Sequence, residues 1–165
     1  VSYVDALVLA AASPRPIRFV MDHRIFKTRF ASWVFRHAKA IPIAPRHEDP
    51  DMLARAYDAC EAALKDGELV CIFPEGKLTK TGDINTFHHG ITEILSRTPA
   101  PVIPMALRGL WGSYFSRHTD ARMPRPIKRG VMSRLTLAVG EPIPASVATP
   151  EALQAAVTEL RGARK

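Results

Sequence analysis

Residues 69–77 read Leu69-Val-Cys-Ile-Phe-Pro-Glu-Gly-Lys77, and this stretch decides the fold prediction. Its five opening residues are apolar and rich in β-forming side chains, which predicts a buried strand. Pro74 ends the strand because it has no N–H to donate to a neighbour. Glu75 and Lys77 then flank Gly76, where a backbone without a side chain lets a ligand approach closely. Opposite charges at the carboxyl end of a buried strand indicate either a binding site of an α/β sheet or a surface turn with a solvated ion pair.

Strand and helix signals alternate on both sides of this stretch. Apolar stripes at helical spacing follow capping residues, and short runs of β-formers end at proline or glycine. This order predicts an α/β fold with a mixed, largely parallel β-sheet flanked by helices. In the last predicted strand, Leu135, Leu137 and Val139 are expected to point inward. Predicted strands cover 17–21, 41–44, 69–73, 101–107 and 133–139, and predicted helices cover 6–12, 24–38, 49–66, 86–97 and a segment that begins at Thr149-Pro150.

Length and composition limit the class of protein. The 165 residues, 47% of them hydrophobic, are enough for one domain over 1–165 with its own core. The longest apolar run, 6–12, is far shorter than the roughly 20 residues that span a bilayer, and no signal peptide is evident. Cys60 and Cys71 form no C-x-x-C pair, so neither a disulfide framework nor a metal site is predicted. Val1 is not an initiator residue, which predicts a fragment of a longer protein, truncated at its N-terminus.

The positive charge is concentrated in one stretch. The net charge is +7, and residues 108–134 contain seven arginines and lysines but a single acid, Asp120. We name residues 108–134 the basic segment. Such a patch indicates an anionic partner, and three classes fit: nucleic acid, a lipid surface or an acidic carrier protein.

Several common catalytic motifs are absent from the sequence. Gly76-Lys77 is followed by Leu78 and lacks the upstream glycine of a nucleotide P-loop. No G-x-S-x-G elbow of a serine hydrolase occurs. His89 and Glu93 lie four residues apart on a predicted helix, but no third ligand is near, so both are interpreted as polar side chains that face solvent.

Four short segments, taken together and in this order, resemble the sequence blocks of the glycerophospholipid acyltransferase family. The segments 41–46, 73–77 and 102–107 are similar to its Arg-at-strand-exit, Phe-Pro-Glu-Gly and V-I-P-x-A blocks. The family's first block, Asn-His-x-Ser-x-x-Asp, aligns so that Asp5 takes the place of its aspartate and the histidine falls immediately before Val1. The form Glu-Gly-basic-apolar-Thr is more similar to the 2-acyl-glycerophosphoethanolamine acyltransferase domains of larger fused proteins.

The resemblance implies the roles of individual residues. Asp5 would hold the catalytic histidine, which removes a proton from the acceptor hydroxyl. Arg46 would bind the acceptor phosphate bidentately, with Lys77 as a point charge. Glu75, itself an anion, would orient Lys77 or Arg46 or bind the glycerol hydroxyls. The complete set of implied substrate-binding residues is Arg46, Phe73, Pro74, Glu75, Gly76, Lys77 and Pro104.

The resemblance also implies a glycerol-3-phosphate acyltransferase-like fold and an enzyme that moves a fatty acyl group to a lysophospholipid or glycerol phosphate. The donor would be acyl-CoA or acyl carrier protein, with no cofactor and no metal. An anionic membrane surface would be a partner through the aromatic helix 24–38 and the basic segment, which predicts a peripheral or tethered location on the cytoplasmic face. Two alternatives remain from the residues alone: a non-catalytic lipid-binding domain, and a basic nucleic-acid-binding module, although no nucleic-acid motif is present.

Overall fold

The computed structural model describes residues 3–27, 37–76, 84–109 and 135–162. Part of the predicted 24–38 helix, Lys77 and nearly all of the basic segment therefore lie outside the described residues. The helices are α1 (Tyr3–Ala12), α2 (Pro50–Lys65), α3 (Gly90–Arg97) and α4 (Pro150–Arg161), with 3-10 helices at His23–Lys27 and Ala145–Val147. The strands are β1 (Ile17–Asp22), β2 (Ile41–Ile43), β3 (Leu69–Ile72), β4 (Met105–Arg108) and β5 (Thr136–Val139).

Three parallel strands form the sheet that carries the fold. β1 lies between β2 and β3 and pairs with both in parallel, giving the order β2-β1-β3. Asp22 pairs with Ile43, and Val20 pairs with Ile72, so the three strands end close to one another. The predicted α/β class with a largely parallel sheet flanked by helices is confirmed.

The side chains of β1 alternate between two cores, one on each face of the sheet. Phe19 and Met21 are buried in a cluster with Ala6 and Leu9 of α1. Val20, between them in sequence, points to the opposite face and packs in the cluster that contains Cys60 of α2. A strand that is apolar on both faces is typical of a sheet covered by helices on each side.

Local capping signals determine where α2 and α4 begin and end. Asp49 accepts a hydrogen bond from the backbone N–H of Met52 at 2.7 Å, as an N-cap residue does. Thr149 does the same for Ala152 at 3.2 Å. Gly67 follows α2 with φ of 72°, a conformation that favours glycine. The predicted starts of both helices and the stop at Gly67 are confirmed.

Two predicted helices differ from the structure. The predicted 24–38 helix opens as the 3-10 helix His23–Lys27, with the Arg24 N–H bound to the Asp22 carboxylate at 2.8 Å, and residues 28–36 lie outside the described residues. The predicted 86–97 helix was wrong over 86–89, because α3 begins only at Gly90. The N–H groups of Asn85, Phe87 and His88 bind Glu75, Gln154 and Pro74, and these tertiary contacts accompany the non-helical course of the backbone before Gly90.

The predicted strand 101–107 is also divided in the structure. Val102 pairs alone with Ile143, and β4 begins after Pro104 and pairs antiparallel with β5. Of the three predicted inward residues, only Leu137 is sheltered, since it packs against the cluster that contains Ala6 and Leu9 of α1. Leu135, which precedes β5, and Val139, at its end, are 38% and 54% exposed. The inward prediction was wrong for these two because alternation gives a direction but not the extent of the core along a strand.

Candidate active site

The carboxyl edge of the parallel sheet collects most of the predicted site residues. β1, β2 and β3 end there, and ligand sites of open α/β sheets lie outside the carboxyl ends of their strands. Only four residues, 13–16, join α1 to β1, so the helix runs back along the strand and its first turn reaches the same edge. We name this region the carboxyl edge.

Asp5 lies in the first turn of α1 and is half-buried. Its neighbour Ala6 is 2% exposed and packs in the cluster that contains Met21, close to the end of β1, and Phe73, the residue that leaves β3. A carboxylate in the first helical turn is also favoured by the helix dipole, so a stabilising role of Asp5 at the start of α1 is compatible with its predicted catalytic role. The histidine expected before Val1 is not part of this chain.

Arg46 leaves β2 at the carboxyl edge and is exposed. The preceding carbonyl, that of Pro45, accepts the N–H groups of Glu48 at 2.9 Å and Asp49 at 3.1 Å, which makes a tight turn between β2 and α2. Arg24 connects this turn to the end of β1 through an ion pair with Glu48. The guanidinium of Arg46 is thus presented to solvent from a turn that is fixed on both sides.

The Phe-Pro-Glu-Gly stretch, residues 73–76, forms a turn directly after β3, and we name it the glutamate loop. The N–H of Gly76 donates to the carbonyl of Phe73 at 3.1 Å, and Gly76 has φ of 63°. A Cβ at Gly76 would lie 3.1 Å from Cδ2 of His88. The positive φ favours glycine here, and any side chain would also require the imidazole of His88 to shift by a few tenths of an ångström. Lys77 lies outside the described residues, so its predicted phosphate role stays a prediction.

The carboxylate of Glu75 binds a residue that sequence reasoning did not select. Its Oε2 accepts the backbone N–H of Asn85 at 2.8 Å and the side-chain Nδ2 of Asn85 at 3.0 Å. The N–H of His88 donates to the Pro74 carbonyl at 2.9 Å. The segment 84–88 therefore lies beside the glutamate loop, and we name it the second wall of the candidate site.

The same segment is also attached to the C-terminal helix. The Phe87 N–H donates to Oε1 of Gln154 at 3.1 Å, across 67 residues of sequence. No periodic or local signal indicates such a contact. The one local indication that 84–89 is not helical was Gly90, since glycine is unfavourable inside a helix and suits a late start of α3.

Pro104 directly precedes β4 of the two-stranded β4–β5 sheet and is buried. Its carbonyl accepts the Gly140 N–H at 2.9 Å, and a Cβ at Gly140 would lie 3.0 Å from Pro104 Cγ. The structure thus gives Pro104 a packing role between β4 and Gly140. Its predicted substrate contact stays a prediction.

Burial changes the acidity of three groups. Burial raises the pKa of the Cys60 thiol to about 11 and that of Cys71 to about 12. Thiols with such a high pKa are protonated near neutrality and are poor nucleophiles. The pKa of Tyr57 is raised by burial and by Glu93, against the opposing charges of Arg97 and Arg46. Neither described cysteine is suited to carry an acyl group.

Within the described ranges, no group of three or more histidine, cysteine, aspartate or glutamate side chains could hold a metal ion. None of the helices in the described part of the chain combines the length and the apolar character needed to cross a bilayer. The basic segment lies almost wholly outside the described residues.

Comparison with known proteins gives one consistent result. A family model described as Acyltransferase matches residues 1–108, a range that holds every predicted site residue and ends where the basic segment begins. A chloroplastic 1-acyl-sn-glycerol-3-phosphate acyltransferase of Brassica napus is 27% identical over 108 residues, which are 66% of this chain and 30% of that protein. The 1-acyl-sn-glycerol-3-phosphate acyltransferase of Pseudomonas aeruginosa is 30% identical over 117 residues, covering 68% of this chain and 43% of that protein.

A solved structure shares the fold. The crystal structure of the 1-acyl-sn-glycerophosphate acyltransferase PlsC from Thermotoga maritima superposes with a TM-score of 0.60 at 21% identity, over 96% of this chain and 59% of that one. This chain therefore spans less than half the length of the curated relatives above and more than half of the solved structure.

Proposed function

Since this chain belongs to the acyltransferase family, whose model matches residues 1–108, we propose that the protein transfers a fatty acyl group from a thioester to a hydroxyl of a lysophospholipid or glycerol phosphate. The observation that carries this proposal is the gathering of the α1 first turn, the β2 exit and the glutamate loop at one edge of the sheet. The relatives named above act on 1-acyl-sn-glycerol-3-phosphate, and we take this lysophospholipid as the first acceptor to test.

The reaction needs a base next to the acceptor hydroxyl. The hydroxyl oxygen attacks the thioester carbonyl, the new ester C–O bond forms, and the C–S bond breaks. The proton of the hydroxyl passes to the histidine expected upstream of Val1 and then to the leaving thiolate. Asp5 would hold the tautomer of that histidine and stabilise its charged form.

The acceptor phosphate needs cations and N–H donors. Arg46 is exposed at the carboxyl edge, and a guanidinium binds a phosphate through two parallel hydrogen bonds. Lys77 follows Gly76 directly and would add a second positive charge. Arg46 follows β2 and Glu75 follows β3, the two strands that flank β1, which supports a single phosphate pocket at this edge.

Binding to an anionic membrane surface is part of the same proposal. A basic segment near a lipid surface contributes about 1 kcal/mol per lysine or arginine. Such attachment, peripheral or through another part of the polypeptide, would bring the acceptor to the carboxyl edge from the cytoplasmic side. No cofactor is needed, because acyl-CoA or acyl carrier protein supplies the activated acyl group.

A thioester-release assay tests the proposal. Acyl-CoA and acyl carrier protein are each supplied with 1-acyl-sn-glycerol-3-phosphate, for this chain and for a form extended upstream through the expected Asn-His. The extended form should release thiol in an acceptor-dependent manner, and replacing its histidine by alanine should abolish release. Equal release by both forms would overturn the His-Asp assignment, and no release by the extended form would favour a lipid-binding domain.

A further inference from the structure

We infer that Asn85 is a positioning residue of the acceptor site and that it acts through the carboxylate of Glu75. This inference rests on the proposed function, since it assigns a role at the same carboxyl edge. Asn85 lies outside the four sequence blocks and was not among the predicted site residues. The contact that carries the inference joins the glutamate loop to the segment 84–88.

Two hydrogen bonds from Asn85 meet on one oxygen of Glu75. The backbone N–H and the side-chain Nδ2 donate at 2.8 and 3.0 Å to Oε2, and both contacts are partly buried. Hydrogen bonds to an ionised acceptor are about twice as strong as those between neutral groups. Two donors on one carboxylate oxygen fix the rotation of the carboxyl group as well as its position. The charged side chain is thereby held against the segment 84–88.

The segment that carries Asn85 is itself held by further hydrogen bonds, so the position of Asn85 is fixed. Two residues later the Phe87 N–H is bound to Gln154 of α4, and the Phe87 side chain is only 6% exposed. The next N–H, that of His88, is bound to the Pro74 carbonyl at 2.9 Å. Asn85 therefore transmits the position of the C-terminal helix to Glu75.

Holding Glu75 also limits the position of Gly76. Gly76 is confined between its bond to Phe73 and the imidazole of His88, and Lys77 comes next. If Glu75 rotated away from Asn85, its negative charge would be available to face the acceptor phosphate and repel it. We expect the loss of Asn85 to weaken acceptor binding and to leave donor binding almost unchanged.

The test uses steady-state kinetics of the upstream-extended protein with acyl-CoA and 1-acyl-sn-glycerol-3-phosphate. Asn85→Ala removes the Nδ2 hydrogen bond to Glu75 and keeps the backbone one. It should raise the acceptor KM by about tenfold, because a charge-assisted hydrogen bond is lost, and should leave the donor KM within about twofold. Gln154→Ala is the matched comparison: it removes one side-chain hydrogen bond from the same segment but leaves both Asn85–Glu75 bonds in place, so it should raise the acceptor KM by less. An equal effect of the two variants on the acceptor KM, or an equal rise of both KM values in Asn85→Ala, would overturn the inference.

An exchange of partners separates positioning from direct substrate contact. Asn85→Asp places a carboxylate against Glu75 and should raise the acceptor KM more than Asn85→Ala. In the double variant Glu75→Gln/Asn85→Asp a carboxamide again faces a carboxylate, and most of the loss should be recovered. A double variant no better than Asn85→Asp would mean that the Glu75 carboxylate itself must contact the acceptor, and the positioning role would be wrong.

Amide hydrogen exchange keeps the inference testable if the protein transfers no acyl group, in which case only the proposed function fails. Asn85→Ala should speed exchange of the Gly76 and His88 N–H groups, which are bonded within and to the glutamate loop. Gln154→Ala should speed exchange of the Phe87 N–H instead. Unchanged protection of Gly76 and His88 in Asn85→Ala would show that Asn85 does not hold the loop.

Discussion

The ring of Phe73 stacks on that of Phe19, with centroids 6.4 Å apart and planes inclined by 11°. Phe73 is the residue that leaves β3, and Phe19 lies at the centre of β1 and is 3% exposed. The glutamate loop therefore starts from a side chain fixed to the central strand. Any displacement of this pair should be transmitted to Glu75 and Gly76.

Replacing Phe73 by leucine should lower the free energy of unfolding and also impair acceptor binding. Offset aromatic pairs contribute about 0.5–1.5 kcal/mol beyond their buried area. A double-mutant cycle of Phe73→Leu and Phe19→Leu, measured by urea unfolding, should give a coupling energy in that range. Additive losses in the two single variants would contradict an energetic role for the stacking.

Buried thiols make stability fall at alkaline pH. In the unfolded chain a cysteine ionises near pH 8.5, whereas burial raises the pKa of Cys60 to about 11 in the folded protein. The folded-state pKa is the higher one, so this stability is fully present below about pH 8.5 and is lost as the pH rises toward about 11. Between pH 8 and 10.5 we expect a loss of about 2 kcal/mol from this thiol.

The measurement is urea unfolding of the wild type and of Cys60→Ala at both pH values. The variant starts from a lower stability, because a small cavity replaces the sulfur, but its decline with pH should be shallower. Cys71, whose pKa is also raised, remains in both proteins and cancels in the difference between the slopes. Tyr57 does not cancel fully, because the Cys60 thiolate is the smallest of the causes that raise the pKa of Tyr57. Parallel pH profiles would show that the Cys60 thiol does not couple folding to pH.

Elements with local signals could be predicted from the sequence. Asp49 and Thr149 cap helices that begin one residue later, and Gly67 ends α2, because each acts on backbone groups within a few residues. The order of strands and helices was predictable for the same reason. Arg46 could be placed at a strand exit because Pro45 follows the short run 41–44.

The second wall of the site could not be predicted, because the contacts that form it are not local. Asn85 binds Glu75 across ten residues, and Phe87 binds Gln154 across 67. Helical periodicity over 86–97 was real, since Ile91, Ile94 and Leu95 are buried, but tertiary hydrogen bonds overrode it at its amino end. The roles implied for Asp5 and the other site residues stay predictions that kinetics must test.

Replacing Arg46 should separate charge from geometry in acceptor binding. Arg46→Ala should raise the acceptor KM by about tenfold or more, since a charge-assisted bidentate contact is lost, with little change in the donor KM. Arg46→Lys keeps the charge but not the planar guanidinium, so its acceptor KM should lie between that of the wild type and that of Arg46→Ala. Arg55→Ala, at an exposed arginine of α2, is the control for loss of surface charge. A larger effect on the donor KM than on the acceptor KM would remove Arg46 from the phosphate site.

Gly76 should be intolerant of any side chain, for two reasons that a matched pair of variants separates. Gly67 has φ of 72° with no atom within 4 Å of a built Cβ, whereas Gly76 has φ of 63° and His88 Cδ2 at 3.1 Å. Gly67→Ala should therefore cost only the backbone strain, about 1–2 kcal/mol of unfolding free energy. Gly76→Ala should lower the free energy of unfolding by more than Gly67→Ala does, and it should also raise the acceptor KM, because the glutamate loop and the imidazole of His88 must move apart.

Removing the imidazole in Gly76→Ala/His88→Ala tests whether crowding is the cause of the excess. Denaturation of the double variant should show a Gly76→Ala cost close to that of Gly67→Ala, since only the strain of a positive φ remains at both positions. Activity should recover in part if His88 serves only as a wall, and not at all if its ring also contacts the acceptor. Equal costs for Gly76→Ala and Gly67→Ala in the presence of His88 would contradict the close packing of the imidazole on the glutamate loop.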